Sequence, residues 1–192
     1  MTPKRRIDFT MFPEVRKEQV SGGLMSEPLK QAMSDDLTLK SVVKLIEPSS
    51  IIYWVSDGKW SMHEMLLELL NITGPAKVHI SSYAMCETAA RVLAQLRNTK
   101  MITELYCLLD NRIDVRSAGA FQLIKAISDK CVLIDTHAKV TCIENDTWKL
   151  AVIGSANYTE NKRYECGIIT VWDSAVDMQI KWIKKALLDG VE

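Results

Sequence analysis

The chain has 192 residues, of which 47% are hydrophobic and 25% are charged, and this suits one compact domain with a sizeable core. Its 24 lysines and arginines equal its 24 aspartates and glutamates, which excludes a nucleic-acid binder that is basic over its whole surface but leaves a local basic site open. No apolar run approaches the length of a membrane span, and no apolar leader follows the N-terminal charges. We therefore expect a cytoplasmic protein that makes no membrane contact.

The five cysteines are scattered along the chain without a CxxC pair, a spacing that does not favour a structural zinc site. Three of them, Cys107, Cys131 and Cys142, lie within or beside apolar runs. We predict that these are small core residues in a reducing compartment. We also expect no bound metal and no cofactor.

The N-terminal part is expected to differ from the rest of the chain. Residues 1–27 combine two prolines, a Gly-Gly pair and little periodic hydrophobicity, so we predict an arm that is either flexible or exchanged within a dimer. Residues 28–192 are predicted to form one domain. Its first part, 28–48, is predicted as a leading helix because apolar residues partly follow a helical repeat until Pro48, and its core spans 50–188.

The first half of the domain alternates between strand patterns and helix patterns. The strand IIYWV is followed by a turn and then by a helix that Ser61 caps, with Glu64 three residues on as in a capping box. Two further strand–helix pairs follow at short intervals. The alternating segments are residues 51–55, 62–70, 76–83, 86–96, 102–110 and 117–127.

The second half is a cluster of short β-rich runs closed by one amphipathic helix. The runs are residues 131–135, 138–144, 149–155 and 166–172, and the helix covers residues 176–188. Alternation followed by a strand cluster predicts a mixed α/β fold, in which helices cover both faces of a central mixed sheet. Trp54 and Trp60 are predicted to pack in its core, and Asp110 is predicted to be a strand-end cap or turn residue.

A histidine and a lysine stand two apart in the run THAKVTCIE. If the predicted strand includes His137 and Lys139, both side chains project from one face. A cation beside an imidazole suits a site that holds a phosphate next to a nucleophile. On its own this pair is weak support, because a solvated strand end also explains it.

Polar residues at the end of the next run strengthen that reading. In GSAN, Gly154 permits a tight turn, and Ser155 and Asn157 can share a face and donate hydrogen bonds to phosphate oxygens. Glu165 precedes the following run, where a carboxylate could accept the Nδ1 proton of His137 and fix its tautomer. Five residue types suited to phosphoryl chemistry thus fall within 29 positions of the chain.

This order of motifs resembles the phospholipase D superfamily, whose signature is HxK, four residues, Asp and later GSxN. The chain reads His137-Ala-Lys139, four residues, Glu144, and then Gly154-Ser-Ala-Asn157. Glu144 stands where the family has Asp and keeps the charge, and the resemblance gives it a supporting role. The resemblance covers about residues 50–188 and implies a phospholipase D-like sheet flanked by helices on both faces.

The resemblance also implies how the site works. The family needs two HxK motifs, and short members such as small bacterial endonucleases carry one and form homodimers. His63 and His79 lack the lysine, so the resemblance implies a homodimer with a composite site. In it, one His137 attacks phosphorus to form a phosphohistidine and the partner's His137 acts as acid and base, without a metal. Lys139 and Asn157 bind the phosphate oxygens.

The remaining site residues follow from the same resemblance. Ser155 supports the phosphate or the imidazole, and Glu165 orients His137. Lys162 and Arg163 add positive charge for a nucleic-acid substrate. Tyr158 either stacks on a base or packs in the core.

The function implied is a metal-independent phosphodiesterase, most specifically a nuclease. The alternative is a phospholipase D-like module that binds nucleic acid or phosphate with little or no turnover, which Glu144 and the neutral net charge favour. A third possibility is a toxin or mobile-element effector whose arm recruits a partner.

Overall fold

A computed structural model describes residues 30–33, 38–160 and 162–190, and a mixed β-sheet of eight strands forms its centre. The strands are β1 (Lys30–Met33), β2 (Ser50–Ser56), β3 (Ala76–Ser82), β4 (Ile102–Asp110), β5 (Lys130–Ile134), β6 (Val140–Glu144), β7 (Lys149–Gly154) and β8 (Glu165–Thr170). The helices are α1 (Leu39–Val43), α2 (Met62–Thr73), α3 (Glu87–Asn98), α4 (Ile113–Arg116), α5 (Ala118–Ile127) and α6 (Asp173–Asp189).

The strand order is β1-β2-β8-β7-β6-β3-β4-β5. The outer neighbours β1–β2, β3–β4 and β4–β5 are parallel. The inner neighbours β2–β8, β8–β7, β7–β6 and β6–β3 are antiparallel. Parallel neighbours need a crossover, and α3 and α5 provide it for β3–β4 and β4–β5.

Helices cover both faces of the sheet, as the sequence predicts. One face packs against α1, α2, α3 and α5 in the larger core, which includes Trp54 and Trp60 as predicted. The other packs against α6 through a smaller core. Strand β4 shows the alternation that separates them, because Leu108 faces α6 whereas Cys107 and Leu109 face the larger core. Among the described helices, none is long and apolar enough to span a bilayer.

The start of α2 confirms the predicted capping box. The Ser61 backbone N–H donates to Glu64 Oε2 at 2.7 Å, and the Ser61 hydroxyl donates to the same oxygen at 2.7 Å. These bonds use a free amide at the N-terminus and place a carboxylate in the first turn, where the helix dipole favours it. The predicted core cysteines Cys107 and Cys142 are fully buried, and burial raises the pKa of Cys142 to about 12.

The predicted leading helix over 28–48 is wrong. This range contains strand Lys30–Met33 and the short helix Leu39–Val43, which Thr38 caps by accepting from the Ser41 N–H. Strand β1 pairs in parallel with β2, from Lys30 opposite Ser50 to Met33 opposite Tyr53. Backbone bonds to a ready sheet edge outweigh a weak helical periodicity. The predicted arm, 1–27, lies outside the described residues.

Candidate active site

Five connections meet on the side of the sheet where several strands end, which we call the site edge. They carry most of the predicted site residues. This edge holds the ends of β2, β3, β4 and β7 and the beginnings of β6 and β8, because Ser81 pairs with Val140, Val140 with Ile153, and Gly154 with Gly167. Segments far apart in sequence therefore converge here. Strand ends are where α/β folds usually place their chemistry.

His137 and Lys139 lie in the connection between β5 and β6. The strand begins at Val140, so the predicted strand over 138–144 starts two residues too early. The pair is nevertheless adjacent, because Lys139 Nζ lies 3.3 Å from His137 Nδ1 and donates to the His137 carbonyl oxygen at 2.8 Å. The imidazole is exposed. Partial burial lowers the pKa of Lys139, and the nearby Glu165 and Tyr83 act in the opposite direction.

The GSAN segment supplies the second half of the site. The Ser155 hydroxyl donates to a Glu165 carboxylate oxygen and accepts from the Cys166 N–H at 3.1 Å. Asn157 Oδ1 accepts from the Ala84 N–H at 3.1 Å and lies 3.4 Å from the Ser82 hydroxyl. Asn157 thus ties the segment after β7 to the end of β3. Its Nδ2 makes no hydrogen bond to a described residue and stays free to donate to a ligand.

Gly154 is required by a close approach between strands more than by a turn. Gly154 and Gly167 face each other across β7 and β8, and Trp54 pairs with Gly167 from β2. A Cβ on Gly154 would lie 2.6 Å from the Cys166 carbonyl oxygen, and one on Gly167 would lie 2.3 Å from the Ile153 carbonyl oxygen and 2.7 Å from Trp54 Cζ2. The two glycines therefore leave room for the Trp54 ring beside the strand that precedes Ser155 and the strand that begins at Glu165.

Tyr83, directly after β3, is the centre of a cationic cluster that the sequence did not reveal. Its ring centroid lies 4.8 Å from that of His137, and three cations lie over it. These are the guanidinium carbons of Arg112 at 4.7 Å and Arg116 at 5.8 Å, and Lys139 Nζ at 5.5 Å. No motif marks the two arginines, since they follow β4 and join His137 only through strand pairing.

Asp110 anchors this cluster. As predicted for a turn residue, it accepts from the Arg112 N–H at 3.2 Å, and it also holds the Arg112 guanidinium through bonds of 2.6 and 3.0 Å. The Asp110 side chain is fully buried. The Arg112 guanidinium is the main cause that lowers the Asp110 pKa to about 2, so the carboxylate stays ionised at neutral pH.

Solved structures with the same arrangement identify the fold. Nuc from Salmonella typhimurium, a phospholipase D family member, matches with a TM-score of 0.59 at 14% identity, over 74% of this chain and 96% of that one. NucT from Helicobacter pylori matches with a TM-score of 0.54 at 17% identity, over 73% and 97%. The chain has the phospholipase D fold.

The same fold is found within larger proteins. A polyphosphate kinase from Porphyromonas gingivalis matches with a TM-score of 0.52 at 12% identity, over 74% of this chain and 26% of that one. No protein-family model and no curated protein sequence matches the chain. At these identities the likeness concerns the fold alone.

Glu144 lies away from the edge of the sheet that carries His137 and Lys139. It ends β6, five residues after Lys139 and therefore about 17 Å along an extended strand. There it accepts from buried His79 Nε2 at 2.8 Å and from Lys184 at 3.2 Å. The supporting role predicted for Glu144 is therefore corrected to a structural one, which ties β6 to β3 and α6. The side chain of Glu is longer than that of Asp, but at this distance the difference affects no contact with His137.

We expect two of the three histidines to resist protonation. Burial lowers the pKa of His79 below the ordinary 6.5, which Glu144 only partly offsets, and burial also lowers that of His63. The unfolded chain then binds more protons than the folded one, so the free energy of unfolding falls as pH drops from about 6.5 through the two lowered values. Ring C–H resonances, followed by NMR against pH and assigned with His79→Gln and His63→Gln, measure this. Titration of either at or above 6.5 would contradict it.

The three predicted substrate-binding residues differ in their exposure. Tyr158 is 2% exposed, and its hydroxyl lies 2.8 Å from Thr141 Oγ1. Stacking on a base is therefore wrong for Tyr158, and the packing alternative is correct, because Tyr158 pairs with Met85 and its side chain packs in the larger core. Lys162 and Arg163 are exposed on the connection that precedes β8, next to the site edge.

Proposed function

We propose that this protein is a phosphodiesterase, and more specifically a nuclease, that cleaves through a phosphohistidine in a homodimer. One observation carries the proposal. On a phospholipase D fold, His137, Lys139, Asn157 and the Ser155–Glu165 pair lie at one sheet edge, although they arise from two connections and the start of β8. The same edge displays further cations around Tyr83. Such a set suits an anionic diester that needs a nucleophile and charge stabilisation.

The proposed homodimer is supported by the number of histidines at this edge. The chain has three histidines. His79 is buried against Glu144 at the far edge, and His63 is 6% exposed within α2. Neither can act opposite His137. The second catalytic imidazole that the resemblance implies would therefore come from a second copy, which a two-fold axis at the site would supply.

The reaction then proceeds in two displacements. A lone pair of a His137 ring nitrogen forms an N–P bond while the P–O bond to the leaving group breaks, and the partner's His137 gives its proton to the leaving oxygen. Water next gives a proton to the partner's imidazole while its oxygen forms a P–O bond and the N–P bond breaks. The two histidines end in their starting protonation states.

The surrounding groups stabilise the charge and set the tautomer. In the free protein Lys139 Nζ lies against His137 Nδ1. A bound phosphate would compete for this ammonium, freeing the imidazole and placing Lys139 on a non-bridging oxygen. The free Nδ2 of Asn157 would bind a second oxygen. Glu165, positioned by the Ser155 hydroxyl, would accept the Nδ1 proton of His137.

The nucleic-acid substrate is supported by the positive charge around the edge. Lys162 and Arg163 are exposed on the connection between β7 and β8, and Arg112 and Arg116 follow β4 and lie over Tyr83. Several cations on the connections at one edge of the sheet suit a chain of phosphates better than a single diester. The short endonucleases that the motif resembles point the same way.

The test is hydrolysis without metal. Fluorescent single- and double-stranded DNA and RNA are incubated with the purified protein in excess EDTA, and cleavage is followed on gels. We expect cleavage of at least one polymer, because Lys139 and Asn157 supply the stabilisation that a metal would otherwise give. Binding of all four polymers with no cleavage by the folded dimer would replace the nuclease with the non-hydrolysing binding module.

A further inference from the structure

We infer that Tyr83, Arg112 and Arg116 form a second phosphate-binding subsite beside His137, which grips a neighbouring phosphate of a polymeric chain. This inference rests on the proposed function, since it names the kind of diester that the same edge would take. It distinguishes a polymer, which has a phosphate for each subsite, from an isolated diester, which has one.

Arg116 and Arg112 differ in how far neighbouring carboxylates neutralise their charge. Two bonds of the Arg112 guanidinium go to buried Asp110, and exposed Asp135 lies close enough to act on it as well. Arg116 has no carboxylate partner among the described residues, and its Nη1 donates to the Tyr83 hydroxyl at 2.9 Å. Its side chain is exposed. Arg116 is therefore a cation that is held in place while its charge remains available to an anion.

Tyr83, which holds Arg116, is itself fixed by hydrogen bonds to its two neighbours in the chain. Tyr83 stands between Ser82 and Ala84, and both neighbours are fixed by Asn157 Oδ1, at 3.4 Å from the Ser82 hydroxyl and 3.1 Å from the Ala84 N–H. The Ser82 hydroxyl also donates to the Ala84 carbonyl oxygen at 2.8 Å. A donor held by a fixed neighbour loses little conformational entropy when it binds.

One ring joins the subsite to the catalytic centre. The Tyr83 ring lies 4.8 Å from the His137 ring at an interplanar angle of 58°, and the Arg116 guanidinium carbon lies 5.8 Å from its centroid. Arg116 and His137 are thus separated by one tyrosine ring, so a phosphate held by Arg116 would lie close along the same strand to one attacked by His137. The planar fork of arginine matches the oxygens of a phosphate.

Binding of a short single-stranded DNA, measured by fluorescence anisotropy with the full chain, tests the subsite. We expect Arg116→Gln to weaken binding roughly tenfold at low salt and to make the slope of log affinity against log salt shallower by about 0.7, the value for one phosphate contact on a single strand. Arg116→Lys should keep the slope and recover part of the affinity. Lys125→Gln is the matched control, since it removes a positive charge from an exposed residue in the later part of α5 and should change neither quantity.

Several results would overturn the subsite. The first is that the wild-type protein does not bind the oligonucleotide. The second is that Arg116→Gln has the same affinity and salt slope as Lys125→Gln. The third is that Arg116→Gln sediments as a different oligomer from wild type. Hydrolysis of bis(p-nitrophenyl) phosphate, which has a single phosphate, separates this failure from that of the proposed function. Wild-type hydrolysis of this diester with unaltered Arg116→Gln binding removes the subsite alone. Absence of all hydrolysis removes the nuclease, while anisotropy still decides the subsite.

Discussion

Replacing His137 with asparagine is expected to reduce phosphodiester hydrolysis by roughly 10⁴-fold or more, because the change removes both the nucleophile and, across the two-fold axis, the general acid. The side chain is exposed and contacts Tyr83 and Lys139, so its loss should leave the fold intact. Initial rates in EDTA measure the effect. Thermal unfolding of the same samples checks that the variant is folded. Retention of most activity would contradict a nucleophilic role for His137.

Mixed dimers test whether both subunits contribute His137 to one site. If each site needs His137 from both subunits, a dimer of one wild-type and one His137→Asn subunit is inactive. Random assortment of equal amounts then leaves about a quarter of the wild-type activity, since only dimers of two wild-type chains work. About half the activity would instead show that each chain is a complete site. Wild type exchanged with itself under the same conditions controls for losses during exchange.

Replacing Gly167 with alanine is expected to lower the free energy of unfolding by about 3 kcal/mol, at the upper end of the cost of overpacking. The new Cβ would lie 2.3 Å from the Ile153 carbonyl oxygen and 2.8 Å from Gly154 Cα. Both are backbone atoms, so the strands themselves must part. Because β7 and β8 carry Ser155 and Glu165, hydrolysis should fall as well. Urea unfolding followed by tryptophan fluorescence measures the change.

Gly119→Ala is the matched control for Gly167→Ala. Gly119 lies in helix α5, and a Cβ there would meet only the end of the Glu87 side chain, which can move aside. Alanine favours a helix over glycine, so stability should be unchanged or rise by up to about 1 kcal/mol. An unfolding midpoint for Gly167→Ala equal to that of Gly119→Ala would contradict the close approach of β7 and β8.

Part of the candidate site could be predicted from the sequence because its members lie near one another along the chain. His137 and Lys139 are two residues apart, and GSAN follows at the end of the antiparallel pair β6–β7, which returns the chain to the same end of the sheet. Local spacing therefore sets their proximity even though the strand begins only at Val140. The role of Glu144 could not be predicted this way. Its partner His79 is 65 residues away, and only the pairing of β3 with β6 brings the two together.

Apart from the short helix α4, the sequence by itself determined which strands and helices lie between 50 and 190, their order and the capping box of α2, because periodicity and caps depend on neighbouring residues. Tertiary structure alone decided three things. It made 30–33 a strand on the sheet edge, buried Tyr158, and placed Arg112 and Arg116 over Tyr83 beside His137. The physical reason is the same in each case. Pairing between strands that are distant in sequence determines which surfaces come into contact, and no local sequence pattern encodes that pairing.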